Sequence, residues 1–192
     1  ANDLQRSSSG RFVLGLGSQV KGHNERRFSV PWSPPAPRLK EYVEALRAIW
    51  RCWEKGEKLN FQGDHYRFDL MTPVFSPKPA GMPMIPVTLA AVGAAMIRLA
   101  ARVADGVRLH SFCTRKYMIE TLLPELENGW AESGTKRQNF EIVGGGYVVT
   151  GPDDETVSKQ FEWVRERLAF YGSTRTSLPV WEAHGEEELG LK

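Results

Sequence analysis

The segment that most constrains the fold is residues 87–107, with the sequence VTLAAVGAAMIRLAARVADGV. An apolar run enters a turn of small residues and then a helical pattern, and a second short apolar run begins at Gly106. This order predicts a β-α-β unit with parallel strands. Ala90, Ala91 and Gly93 leave backbone N–H groups accessible at the start of the helix, where an anion such as a phosphate can bind.

Small residues in such a turn also have a purely structural use, because they let a helix pack close to a sheet. A second turn of the same kind favours the anion-binding interpretation. The strand predicted at residues 12–16 leads into Gly17, Ser18 and Gln19. Two turns suited to a phosphate therefore follow two strands of one predicted sheet.

Four segments resemble the luciferase-like monooxygenase superfamily and, within it, the oxidoreductases that use the deazaflavin coenzyme F420. They are GRFVLGLGS at residues 10–18, RLKEYVEALRAIW at 38–50, FQGDHY at 61–66, and residues 85–106. These segments have the order and spacing of the family and span nearly the whole chain. The resemblance implies an α/β fold, a (β/α)8 TIM barrel of the bacterial-luciferase type, with the cofactor at the carboxyl ends of the strands.

Length sets the expected domain organisation. A barrel of this type needs about 250 residues, whereas the chain has 192 and begins without an initiator Met. The family places three βα units before the strand at residue 12. We therefore expect residues 1–192 to form a single domain, an incomplete barrel whose N-terminal βα units are missing, with an insertion at about residues 56–86.

The resemblance also implies which residues contact the cofactor. They are Ser18 and Gln19 after the first strand, Ala90, Ala91, Val92 and Gly93 in the phosphate turn, and His110 and Ser111 at the end of the next strand. Val92 stands where many members have a second glycine, and His110 where a threonine is common. His110 can bond a phosphate as a neutral donor or as a cation, or it can be a strand-end histidine without such a role. The family draws its catalytic residues from the missing units, so no catalytic residue is assigned.

Three functions are compatible with these observations. The first is a fragment of an F420-dependent oxidoreductase that transfers a hydride between the deazaflavin and a small organic substrate. The second is an FMN-dependent monooxygenase of the same superfamily. The third is a non-catalytic, truncated remnant with exposed strand edges, prone to aggregate or dimerise. Family analogy favours a homodimer.

Composition excludes other classes of partner. The net charge is only +2 and the basic residues are scattered, which argues against nucleic acid. No run of about 18 apolar residues predicts a membrane span, and no signal peptide is recognised. Cys52 and Cys113 lack the spacing of metal ligands, so we expect no metal site and reduced thiols in a cytoplasmic protein.

The remaining segments predict further elements. Apolar residues at helical spacing indicate a helix over residues 39–53, and alternation around Gly63 indicates a hairpin at 59–68. Residues 73–86, rich in proline, predict an extended connector. A helix kinked at Pro124 is expected over residues 114–133, a strand over 140–149, and then a helix after Gly151 with a buried stripe formed by Val157, Phe161, Val164 and Leu168.

Overall fold

The computed structural model describes residues 1–134 and 138–191. In these ranges the α-helices and β-strands are α1 (Asn2–Ser7), β1 (Leu14–Leu16), α2 (Lys21–Arg26), α3 (Pro35–Lys55), β2 (Phe61–Gln62), β3 (Arg67–Phe68), β4 (Val87–Ala91), α4 (Ala94–Val103), β5 (Gly106–Leu109), α5 (Arg115–Tyr117), α6 (Leu123–Ser133), β6 (Glu141–Val143), α7 (Asp154–Gly172) and α8 (Leu178–Glu182). A parallel sheet has the strand order β1-β4-β5-β6, and β2 and β3 form a separate antiparallel hairpin. Among the described residues, none of the helices combines the length and the apolar composition that a membrane span requires.

The β-α-β unit predicted at residues 87–107 is confirmed. β4 runs parallel to β5 with Leu89 opposite Val107, and α4 connects the two strands and buries Ile97 completely. On its other side β4 pairs with β1, Leu14 lying opposite Val87. The chain is therefore an α/β protein with a parallel sheet, as the alternation of strand and helix patterns predicted.

The core lies where α3, α4 and α6 pack with the sheet. α3 begins with Pro35 and is followed by Gly56, whose φ is 68°, so proline and glycine occupy the helix ends that each favours. Its predicted apolar face is buried at Leu39, Val43 and Trp50. The large side chains of the core that are fully buried are Val43, Val87, Leu89, Ile97, Val107, Leu122, Leu126 and Val180.

Asp105 fixes α3 to the sheet at the amino end of β4. Its carboxylate accepts hydrogen bonds from the Arg47 guanidinium and from the backbone N–H of Val87, both at 2.8 Å. Its own N–H donates to the Val87 carbonyl at 2.7 Å. A half-buried ion pair with a second hydrogen-bond donor holds the helix and strand in one register.

The sheet face opposite this core carries small residues. Gly15 and Gly17 of the β1 segment lie beside Thr88 and Ala90 of β4. Ala90 is exposed, and the exposed Arg108 lies across this face, its Nε donating to the Thr88 hydroxyl at 3.3 Å. The two faces therefore differ: one is packed with branched apolar side chains, and the other is thinly covered.

The helix predicted over residues 114–133 is continuous, but it differs from expectation near Pro124. Met118–Leu122 form one π-helical segment between α5 and α6. Proline has no N–H to donate to the carbonyl of Glu120, four residues earlier. The helix widens where that bond is missing, so the predicted disturbance takes the form of a π turn.

Two predictions for the C-terminal part are wrong. The strand predicted over residues 140–149 ends at Val143, because its partner β5 ends at Leu109 and leaves the following glycines without a strand to pair with. In α7 only Val164 of the predicted stripe is buried, and Phe161 and Leu168 are 58% and 38% exposed. β6 is the last strand of the described sheet, and the C-terminal end of α7 contacts the turn after β5, where Tyr171 meets His110.

Candidate functional site

The carboxyl ends of β1, β4 and β5 meet at one edge of the sheet. β4 lies between the other two strands, with Leu16 opposite Leu89 and Ala91 opposite Leu109. A Cβ atom added to Gly17 would lie 3.4 Å from that of Ala90, so the turn after β1 packs beside the last residues of β4. The structure therefore brings together the three turns that carry the predicted site residues.

The start of α4 is open to a ligand. Gly93 is its N-cap, in extended backbone with φ −87°, and no side chain caps the helix. A Cβ atom added at Gly93 would meet no atom within 4 Å. The first N–H groups of an α-helix have no partner within the helix. The turn thus presents backbone donors and the positive end of the helix dipole to open space.

Ala91 and Val92 support this turn in different ways. The Ala91 side chain is buried on the core face, so this residue offers only its backbone to a ligand. The Val92 carbonyl accepts a hydrogen bond from the hydroxyl of Tyr117, a residue that is 2% exposed. Because C=O and N–H of a trans peptide point in opposite directions, this bond directs the Gly93 N–H away from the core. Burial raises the pKa of Tyr117 to about 12, so its hydroxyl remains a donor at neutral pH.

His110 is poised as a neutral hydrogen-bond donor. The backbone N–H of Phe112 donates to its Nδ1 at 3.0 Å, which leaves the proton of the neutral ring on Nε2. Partial burial lowers the pKa of His110 below its ordinary 6.5. The ring also makes an edge contact with Tyr171, at 4.5 Å between centroids. Of the two protonation states left open by the sequence, the structure favours the neutral one.

Ser111 leads into an apolar cavity of about 590 Å³. Phe112, Val180 and Trp181 contribute to its wall, and Thr114 and His184 add a polar pair joined at 2.9 Å. Burial raises the pKa of the neighbouring Cys113 thiol, which keeps the thiol protonated. The described residues contain no group of three or more His, Cys, Asp or Glu side chains that could hold a metal ion.

Ser18 and Gln19 have different surroundings. Ser18 lines a cleft between the β1 turn and α3, and its carbonyl accepts a hydrogen bond from the Asn24 amide at 3.0 Å. Gln19 has a left-handed backbone with φ 57°, and its side-chain oxygen lies 3.2 Å from Nδ1 of His23 on α2. The side chain of Gln19 is therefore held by α2, whereas Ser18 faces the cleft.

Sequence reasoning missed Tyr117 and also Arg38 and Tyr66, which line the cleft beside Ser18 and are joined by a hydrogen bond. Arg38 and Tyr66 belong to two of the segments that carry the family resemblance, but no role could be derived for them from spacing alone. Tyr117 lies 25 residues after Val92, on another element. Its place in the helix predicted over residues 114–133 was the available signal, and that signal says nothing of the hydroxyl.

Comparison with known proteins gives one family. Residues 1–191 match the model of the luciferase-like monooxygenases. An uncharacterised protein of Mycobacterium tuberculosis is 44% identical over 187 residues, which are 97% of this chain and 55% of the relative. An F420-dependent glucose-6-phosphate dehydrogenase of Nakamurella multipartita is 33% identical over 134 residues, covering 70% of this chain and 38% of that protein.

A solved structure has a similar fold at low sequence identity. The coenzyme F420-dependent tetrahydromethanopterin reductase from Methanopyrus kandleri matches with a TM-score of 0.67 and 20% identity. The match covers 94% of this chain and 52% of the reductase. The chain thus spans about half the length of the first relatives it matches.

Proposed function

The chain belongs to the luciferase-like monooxygenase family, and we propose that it binds coenzyme F420 as part of an oxidoreductase acting on a small organic substrate. F420, when bound, supplies hydride transfer, and the protein supplies position and electrostatics. Similarity to an F420-dependent dehydrogenase supports this choice of cofactor. The whole protein's activity is part of the proposal, because the chain spans only about half of such relatives.

The observation that carries the proposal is the uncapped start of α4. Gly93 leaves open space where a side chain would stand, and the N–H groups of the first turn face that space without a side-chain cap. A phosphate fits such a site because it accepts several N–H bonds and is attracted by the helix dipole. Ala90, Ala91 and Val92 would contribute backbone only, so the valine at position 92 does not obstruct the turn.

The neighbouring strand ends would complete the cofactor site. His110 would donate its Nε2 proton, and Ser111 would add a hydroxyl from the same turn. On the other side, Ser18 would bind through its hydroxyl or N–H. Gln19 would contribute backbone, since its side chain is close to His23.

We also propose that the sheet is part of a (β/α)8 barrel, with residues 1–192 in one domain and residues 56–86 as an insertion. Fold similarity to the reductase supports a barrel. The small residues Gly15, Gly17 and Ala90 suit the inner face of such a barrel, where layers of side chains must fit together. Assembly as a homodimer in the cytoplasm stays a prediction.

Equilibrium titration with F420 and with FMN, followed by fluorescence, tests the proposed function. We expect saturable F420 binding with much weaker FMN binding. Gly93→Ala and then Gly93→Val should weaken F420 binding in steps, because each larger side chain occupies more of the space of the anion. Neither substitution should change the unfolding of the protein by urea. Tighter binding of FMN would favour the monooxygenase instead, and binding of neither would favour the non-catalytic alternative.

A further inference from the structure

The cleft between the β1 turn and α3, which Ser18 lines, is called the α3 cleft from here on. It has a volume of about 290 Å³ and is bordered by Ser18, Asn24, Trp32, Arg38 and Tyr66, among others. It opens at the same end of the sheet as the turns that follow β4 and β5. Its wall combines aromatic rings with one strongly basic side chain.

The guanidinium of Arg38 is held in place but is not neutralised by the described residues. Its Nε donates to the Tyr66 hydroxyl at 2.9 Å, and its carbon lies 5.9 Å from the centre of the Tyr66 ring. None of the described carboxylates forms an ion pair with it, in contrast to Arg47 and Arg51 of the same helix. One side of the guanidinium is therefore fixed, and the two Nη groups keep donors for a ligand.

The carboxylate nearest along the helix face, that of Glu41, is used elsewhere. It accepts hydrogen bonds from the backbone N–H groups of Asp64, His65 and Tyr66, at 3.0, 2.8 and 3.2 Å. These bonds hold the hairpin turn against α3 and thereby position the Tyr66 ring. Glu41 thus builds the cleft wall and leaves the charge of Arg38 for another partner.

We propose that the α3 cleft binds an anionic group of the substrate, a carboxylate or a phosphate, with Arg38 as the charged donor. A guanidinium recognises such groups through paired N–H bonds, and the preformed contact with Tyr66 reduces the entropy lost on binding. The anion site stands on the geometry of the cleft. Its assignment to the substrate rests on the proposed function, because Ser18 joins the cleft to the cofactor site.

NMR titration of the chain with inorganic phosphate and with acetate tests the anion site. We expect saturable shifts of the Arg38 Nε–H and Ser18 amide signals. Arg38→Met should weaken this binding by about tenfold or more, Arg38→Lys less, and Tyr66→Phe less again. Arg51→Met is the matched control, because Arg51 lies on the same helix and pairs with Glu57 outside the cleft; it should leave the titration unchanged.

Two results would overturn the site: phosphate binding that survives Arg38→Met unchanged, or shifts confined to the amides at the start of α4. The acidic groups of F420 present the same chemistry, so a second titration uses protein saturated with F420. If inorganic phosphate still shifts the Arg38 signal when F420 is bound, the cleft is a substrate site. If bound F420 abolishes these shifts, the cleft belongs to the cofactor and the substrate role is overturned. Failure of F420 to bind contradicts the proposed function, while the Arg38 titration still decides whether the anion site exists.

Discussion

Replacing Tyr117 by Phe isolates the hydrogen bond that orients the cofactor turn. The ring is buried in the core, and the substitution keeps it there while removing only the hydroxyl that donates to the Val92 carbonyl. Losing the bond costs about 1 kcal/mol, and leaving the half-buried carbonyl without this partner adds to it, so we expect a loss of about 1–2 kcal/mol in the free energy of unfolding. For a domain of this size the melting temperature should fall by about 2–8 °C.

The same change should act on ligand binding through the Val92–Gly93 peptide. Once the carbonyl is released, the peptide can rotate and the Gly93 N–H no longer points reliably at the anion. We expect the F420 dissociation constant to rise about fivefold to tenfold, which corresponds to about 1–1.4 kcal/mol. The comparison ligand is a deazaflavin analogue of F420 without the phosphate. Its binding should not change, because it has no phosphate to bind the Gly93 N–H.

Urea unfolding and paired titrations with the two deazaflavins measure both effects. Tyr147→Phe is the matched control, since its ring contacts Trp163 and no hydrogen bond of its hydroxyl is found among the described residues. Equal weakening of both deazaflavins, or lost stability with unchanged F420 binding, would refute the orienting role.

The pH dependence adds a check: the unfolded tyrosine ionises near pH 10 and the folded one at about 12, so the wild-type protein should lose more stability than the variant as pH rises across this interval.

Three further predictions concern the elements around the site. Desolvation raises the pKa of Glu41, but the hydrogen bonds from three backbone N–H groups outweigh it, so the pKa lies below 4.5. Glu41→Gln should therefore loosen the hairpin, which would be detected as faster amide exchange at residues 64–66. Exchange in the wild-type protein should approach that of the variant as pH falls through the lowered pKa of Glu41. Gly129→Ala should cost about 1–3 kcal/mol in urea unfolding, because the new Cβ would lie 2.6 Å from the Arg98 carbonyl, whereas Gly22→Ala, with nothing within 4 Å, should not destabilise. Burial lowers the pKa of His110, so the unfolded chain binds its proton first and stability should decline as pH falls below about 6.5; a His110→Gln variant with the same decline would contradict this.

The sequence could predict the β4–α4–β5 unit because local patterns decide it. A buried strand, a turn of small residues and an amphipathic helix each follow from neighbouring residues, and the structure has them within one or two positions of the expected bounds. The hairpin at Phe61–Phe68 was predictable for the same reason. The exposure of Phe161 and Leu168 was not predictable, because helical spacing gives the face on which they lie but not whether another element covers that face.

In the candidate site, too, some residues could be predicted from local patterns and others only from tertiary contacts. Ser18, Gly93 and His110 follow strands directly, so their common edge follows from parallel pairing. Tyr117 and Arg38 act through contacts with residues 25 and 28 positions away, and helical periodicity does not encode such contacts. Sequence patterns therefore located the turns, whereas the side chains that orient the turns and charge the neighbouring cleft required the tertiary structure.

The segment of α3 from Arg38 to Arg47 connects the sheet's stability to the geometry of the cleft. Arg47 binds Asp105 at the amino end of the strands, and Arg38 meets Tyr66 at the carboxyl end. Nine residue steps separate the two arginines, a rise of about 13.5 Å along the helix, which is close to the length of a four-residue strand, about 13 Å. An insertion of one residue between Glu41 and Arg47 would turn one end by about 100° relative to the other. We therefore expect such an insertion to preserve the contact of Arg47 with Asp105 and to detach the hairpin from Glu41, so that the α3 cleft loses Tyr66. Leu39 precedes the insertion and would turn out of the core as well, so the free energy of unfolding should also fall.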